Sequence, residues 1–225
     1  MKPSQSTMRI TAVSVLAVAW LVLARPSQAL TYQYFAVGSN VQPNTMTCLR
    51  DLHPLNASAA VLPGYRLAFN VRGNFLVEPS AAAALKSKNP NDCIHGAVYE
   101  LTEKEFRELS SSEGVPFAYR WDSCTVYRYQ GDNGTAGADT LALSADPVPA
   151  RVLVAQMFAA ESSIPPSPSY LKIIQDGAKY WKLDRSYQNK LASVKTARNL
   201  LIPDGLSGRL LQTAETFNPR KLGKF

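Results

Sequence analysis

Few side chains in this 225-residue chain are equipped for catalysis, and their surroundings narrow the choice. Only two histidines occur, His53 and His95. Ser-His-Asp or Cys-His catalysis would need one of them, and neither sits in a nucleophile motif. His95 falls in a strand-like run beside Gly96 and His53 in a loop-like segment, so a structural role suits both. Cys48, Cys93 and Cys124 have no metal-ligand spacing, and an odd count is no disulfide framework. In an oxidising compartment one pair could bridge, and the sequence leaves open which. There is no HExxH, CxxC, Walker or GxGxxG pattern. The expectation is chemistry with no metal and no cofactor.

Two other features remain. The stretch "YQYFAVGSNVQP", Tyr32 to Pro43, reads as a short buried strand, Tyr34 to Val37, stopping at Gly38-Ser39-Asn40. Such a triplet usually marks a turn. At the end of an apolar strand it is also a place where backbone N–H groups can hold a ligand. The second feature is "SSSEGV", which puts Glu113 at the end of a helix, beside Gly114. A helix C-terminus favours cations, so an acid there is locally unfavourable. It is either an exposed loop residue or a general base.

The elements that must position these residues follow from pattern. Arg66 to Val71 alternates like a half-buried strand, and Ile94 to Glu100 reads as another. Ala81 to Lys86 reads as a short helical turn. Thr102 with Glu105 forms a capping box for a helix with Phe106 and Leu109 on its apolar face, and Gly114 suits the position after its end. Tyr119 to Gln130 returns to strand, with Trp121, Ser123, Thr125, Tyr127 and Tyr129 on one face. Thr140 to Ser144 and Ala150 to Phe158 read as further strands. The Pro-rich "SIPPSPSY" leads into a helix over Tyr170 to Tyr180, and Asp184 to Val194 predicts another. After Thr196 the pattern fades; Pro203-Asp204-Gly205 is a turn, and the tail is expected to be partly disordered. Strands dominate the middle and helices the end, so the class is α+β.

Residues 1–29 have the order of a secretory signal: basic Lys2 and Arg9, an apolar run from Ile10 to Ala24, then small residues Ser27 and Ala29. The run is short of the roughly 20 residues of a membrane span, so a cleaved signal is favoured over an anchor. Setting aside Lys2, Arg9 and Arg25 lowers the net charge from +7 to +4. With the basic residues scattered, an ordinary solvated surface is favoured over nucleic-acid binding. The organisation expected is a signal over 1–29, one domain over 30–195 and a tail over 196–225, in a secreted or endomembrane protein. The sequons at Asn56 and Asn133 agree with that route.

Three motifs in order make the reading specific. "YFAVGSN" with apolar Val41 behind it, the Glu113-Gly114 pair, and Pro165 to Tyr170 leading to Gly177-Ala178-Lys179 resemble the gamma-glutamylcyclotransferase family, as does "SYQNKLASV". The resemblance spans Tyr32 to Val194. It implies a mixed, partly barrel-like sheet with peripheral helices. It also implies an enzyme that cyclises a γ-glutamyl group to 5-oxoproline and releases an amino acid or amine. By motif match Glu113 would be the acid/base, Tyr34, Phe35, Ala36, Val37, Gly38, Ser39 and Asn40 would line the γ-glutamyl site, and Tyr170 would touch the substrate. One departure matters: the family's usual Tyr is Val37 here. A catalytically silent binder of γ-glutamyl compounds on the same scaffold is the rival reading.

That chemistry needs little from a protein. The substrate's own amine attacks its own γ-carbonyl, so the reacting groups are already tethered. Glu113 would take the amine proton and pass it to the departing nitrogen. Backbone N–H groups at Gly38, Ser39 and Asn40 would meet the growing charge on the γ-oxygen, each worth roughly 3 kcal/mol in comparable sites.

Overall fold

The computed structural model describes residues 30–130, 146–198, 200–202 and 205–217. The signal-like segment 1–29, the Thr140–Ser144 strand expectation and Asn133 lie outside the described residues. The chain divides into Met1–Leu30 and Thr31–Phe225; the second unit carries everything below.

Its strands are β1 (Thr31–Ala36), β2 (Asn56–Pro63), β3 (Tyr65–Asn74), β4 (Glu78–Lys86), β5 (Cys93–Thr102), β6 (Tyr119–Arg128) and β7 (Pro147–Ala155). The helices are α1 (Glu103–Ser112), α2 (Pro168–Tyr180), α3 (Arg185–Ala192) and α4 (Leu206–Phe217). Five strands close a barrel in the order β1-β5-β2-β6-β7, while β3 and β4 form a separate hairpin sheet. Closure comes from a parallel pairing of β1 with β7, at Tyr34–Arg151 and Phe35–Val152, in a sheet otherwise antiparallel. The class is α+β with a mixed, barrel-like sheet and helices around it.

The pleat of β1 decides what goes where. Phe35 meets Val98 and Val152 across the ladder, and all three are fully buried. Tyr34 pairs with Tyr99 and points the other way, as successive strand residues must. That outer face is covered by helices. Phe106 of α1 lies between Tyr32, at 4.4 Å, and Trp121, at 4.7 Å between ring centroids. The capping box at Thr102 and Glu105 is formed, with both reciprocal bonds present. Gly114 has φ +70, the left-handed conformation that ends a helix cheaply.

Strand β7 runs Pro147–Ala155 rather than the expected Ala150–Phe158, and two further segments depart from the sequence pattern. Ala81–Lys86 lies in strand β4, where a helical turn was expected. Alanine favours helix by up to about 0.7 kcal/mol over other ordinary residues, but small side chains also let sheets approach. Ala83 and Ala84, almost wholly buried, pack in the core as β4 pairs with β3. Tertiary packing outweighs the local preference. The second is α4, a helix in a region whose pattern fades. It packs on α2 and on the π-helical turn Thr45–Leu49. Glu78 ties it down: its Oε2 accepts hydrogen bonds from Ser207 Oγ at 2.8 Å and from Ser167 Oγ at 2.9 Å.

Candidate active site

Where β1 ends, the chain enters a single 3-10 turn, Ser39–Val41, closed by Val41 N–H to the Gly38 carbonyl at 3.0 Å. Helix α2 holds this turn from behind. A Cβ at Gly177 would lie 2.7 Å from Val41 C and Gln42 N, so only glycine permits the contact. Trp181, just past α2, donates its indole N–H to the Val41 carbonyl at 2.8 Å. The turn is thus fixed by the same helix whose N-terminus supplies Tyr170. Ser167 caps that helix, accepting the Tyr170 N–H at 3.1 Å, and Pro168 follows it.

Glu113 arrives from the opposite side, as the residue closing α1. Asn40, almost fully buried, joins the two sides. Its Nδ2 donates to Glu113 Oε1 at 2.7 Å and to the Tyr34 hydroxyl at 2.9 Å. Arg50 completes the arrangement. Its Nη2 lies 2.6 Å from Glu113 Oε1, its Nε donates to Asn40 Oδ1 at 2.9 Å, and its Nη1 donates to Ser112 Oγ at 2.6 Å. Both of these contacts to Glu113, from Asn40 and from Arg50, fall on Oε1.

Tyrosines surround the carboxylate. Burial, and after it the Glu113 charge, push the Tyr34 phenol well above its ordinary range. Burial pushes the Tyr170 phenol up to about 12, against the pull of two backbone N–H groups, Ala82 and Ser39. The Ala82 bond is 3.0 Å. Because the Tyr170 oxygen accepts from backbone, its own proton is available to a ligand. Tyr119 donates to the Ala82 carbonyl at 3.3 Å. A Cβ on Gly38 would meet the Tyr170 hydroxyl at 3.0 Å, so the bare backbone there makes room for the ring.

Together Tyr34, Val37, Gly38, Ser39, Asn40, Glu113 and Tyr170 line one cavity with Ala82, Tyr119 and Leu153. Its volume is about 20 Å³, room for a single water. Phe35 and Ala36, expected among the lining residues, are not in its wall; both are fully buried. Of the three backbone donors expected, the Ser39 N–H is engaged by Tyr170. The residues that sequence reasoning missed are Arg50, Ala82, Tyr119 and Leu153. Arg50 follows the π-helical turn, which breaks any periodic signal, and nothing local marks it as a partner of Glu113. Among the described residues no three His, Cys, Asp or Glu side chains are grouped to hold a metal ion. Cys48, Cys93 and Cys124 are unbridged.

The fold and cavity define a class: a small barrel whose strand-end loop, helix end and Pro-capped helix converge on one carboxylate. A sequence model of the "Gamma-glutamyl cyclotransferase, AIG2-like" family matches residues 34–155, more than half of the chain. The chain belongs to that family. A gamma-glutamyl cyclotransferase of Claviceps purpurea, gliK, is 30% identical over 64% of this chain and 61% of its own length. The chain therefore spans less than two thirds of that relative. A gamma-glutamylcyclotransferase of Bos taurus is 29% identical over 76% of this chain and 82% of its own. A solved gamma-glutamyl cyclotransferase superposes with a TM-score of 0.63, covering 83% of this chain and 99% of that one; at 20% identity the likeness concerns the fold.

Proposed function

We propose that this chain is an enzyme that cyclises the γ-glutamyl group of γ-glutamyl-amino acids or amines to 5-oxoproline, with Glu113 as general acid/base. The observation that carries the reading is the Glu113 carboxylate, anchored through Oε1 and facing the Gly38–Asn40 turn and Tyr170 across one cavity. Family membership supports the same reaction.

The steps balance without a protein nucleophile. Glu113 Oε2 takes a proton from the substrate's α-ammonium. The freed amine attacks the γ-carbonyl carbon, and the carbonyl electron pair moves onto oxygen. That oxyanion is met by the Tyr170 O–H, a donor already held in place. Collapse re-forms the carbonyl and breaks the bond to the leaving nitrogen, to which Glu113 delivers the proton. Two protons in all pass from the attacking nitrogen to the departing one. The described cavity is smaller than a γ-glutamyl group, so binding must move part of its lining.

Incubation with γ-glutamyl-alanine should release 5-oxoproline. Glu113→Gln should lower kcat by about 1,000-fold with the fold intact, as removal of a general base does; full activity in that variant would sink the mechanism. Val37 stands where the family's motif has a Tyr and forms an apolar wall with Ala82 and Leu153. A panel of γ-glutamyl-amino acids, amines and γ-glutamylated secondary metabolites reads its effect on the leaving group. The proposal extends to a secretory route, on the residue order of 1–29, and the N-terminal residue of protein collected from culture medium tests it.

A further inference from the structure

Helix α4 lies in the tail expected to be partly disordered, and past residue 155, where the family model's match ends. Polar contacts nevertheless tie it to the site from both of its ends. At its start, Ser207 Oγ donates to Glu78 Oε2 at 2.8 Å. The same oxygen accepts from Ser167 Oγ at 2.9 Å, and Glu78 Oε1 accepts the Ser167 N–H at 3.2 Å. Ser167 is fully buried and caps α2 by accepting the Tyr170 N–H. One residue along, the Gly208 N–H donates to Ser169 Oγ at 3.3 Å. Toward the far end of α4, Glu215 Oε1 accepts from Asn44 Nδ2 at 2.7 Å, and Leu211 between the two ties is buried.

The footholds of α4 lie outside the helix it presses on. Glu78 opens β4, and Asn44 belongs to the segment that follows the 3-10 turn. Strand β4 also carries Ala82, whose N–H meets the Tyr170 oxygen at 3.0 Å. The strand therefore fixes Tyr170 twice, its hydroxyl through Ala82 and its backbone through Glu78 and Ser167. Gly208 sets how closely α4 approaches. A Cβ there would lie 2.6 Å from Ser169 Cβ, and Ser169 is the residue before Tyr170 in the first turn of α2. A first turn has N–H groups with no partner inside its own helix, so its placement depends on what is packed and bonded against it.

We propose that α4 is a positioning clasp: it holds the first turn of α2, and through it the Tyr170 hydroxyl, where the γ-carbonyl oxygen of the substrate must sit. This rests on the proposed function, in which that hydroxyl meets the oxyanion. A donor to an oxyanion is effective when its geometry is set before the reaction, and a misplacement of about 1 Å can cost about 100-fold in rate. Glu78, Ser207 and Gly208 are absent from the wall of the Glu113 cavity, so they act through Tyr170 and not on the substrate.

Gly208→Ala in the full chain tests this. Alanine favours α4 as a helix but pushes it off Ser169. For γ-glutamyl-alanine, kcat should fall about tenfold with KM changed by less than about twofold. Tyr170→Phe alone should lower kcat by about 100-fold, and adding Gly208→Ala to it should lower kcat no further. Ser169→Gly, which removes the obstructing Cβ, should restore kcat to the Gly208→Ala variant. Amide hydrogen exchange read by NMR reports the same contact without turnover. The Ala82 amide should exchange about tenfold faster in Gly208→Ala, while the Val98 amide in the barrel keeps its rate. Ser207→Ala, which adds no atom to the contact, should move kcat and Ala82 exchange in the same directions by about threefold. Unchanged Ala82 exchange in both variants, or a loss of kcat that adds in full to that of Tyr170→Phe, would overturn the clasp. A parent protein that releases no 5-oxoproline would sink the cyclotransferase reading, and Ala82 exchange would still decide whether α4 holds Tyr170.

Discussion

Arg50 and Glu113 form a pair with side chains only 16% and 11% exposed, in contact with Asn40 and Ser112. The guanidinium fork engages three acceptors from two elements, the strand-end turn and the end of α1. A lysine offers a point charge and cannot span them. Arg50 is therefore a positioning residue for Glu113. Arg50→Met should cost about 3 kcal/mol of stability, since it leaves the carboxylate without its cation. Arg50→Lys should keep much of that stability but lower kcat by about 100-fold through misplacement of the carboxylate, with KM little changed. Initial rates and thermal melts separate the two effects. A raised KM at unchanged kcat would mean instead that Arg50 binds substrate directly.

At the scale of elements, the site depends on how closely α2 lies against the 3-10 turn. Gly177 permits that approach, and the Trp181 indole N–H, at the end of the same helix, pins the Val41 carbonyl. Gly177→Ala would normally favour a helix. Here its methyl would press on backbone atoms 2.7 Å away, which cannot yield as a side chain could. A net destabilisation of about 1–3 kcal/mol is expected, as for overpacking elsewhere. Activity should fall further than stability, because the displaced turn carries Asn40. Chemical denaturation read beside 5-oxoproline release checks both. A stabilised Gly177→Ala variant would show that the helix stands off the turn.

Across the whole molecule, the barrel and the C-terminal helices are joined at His95. Its Nδ1 is hydrogen-bonded to the Tyr129 hydroxyl, which itself accepts the Asp184 N–H at 2.9 Å. Its Nε2 lies 3.5 Å from Cys93 Sγ, and its ring lies 4.9 Å from that of Tyr187 on α3. Burial lowers the imidazole from 6.5 to about 4, with Asp184 opposing and Lys190 adding to the shift. The folded state thus prefers neutral His95. Its contribution is fully present above the unfolded value near 6.5 and is lost as pH falls through about 4. The loss is on the order of 3 kcal/mol. Thermal melts from pH 7 to pH 4 should show it, and His95→Gln should flatten that part of the profile.

How much was legible in the sequence differs by kind of information. The local chain determined α1 with its capping box, the Pro-rich lead into α2, the strand runs of β5 and β6, and the motifs that resemble a known family. Caps, turns and periodicity act over a few residues, so a short window contains their cause. Ala81–Lys86 was misread because alanine's helical preference is weak beside burial between two sheets. Only the tertiary structure brought Arg50 to Glu113, 63 positions away, and turned Phe35 away from the cavity that Tyr34 enters. Which face of a strand meets the site is set by barrel closure through β1 and β7, and ion pairs between distant segments leave no periodic trace. Local propensity can nominate a carboxylate; long-range packing decides what holds it and which of its oxygens takes the bonds.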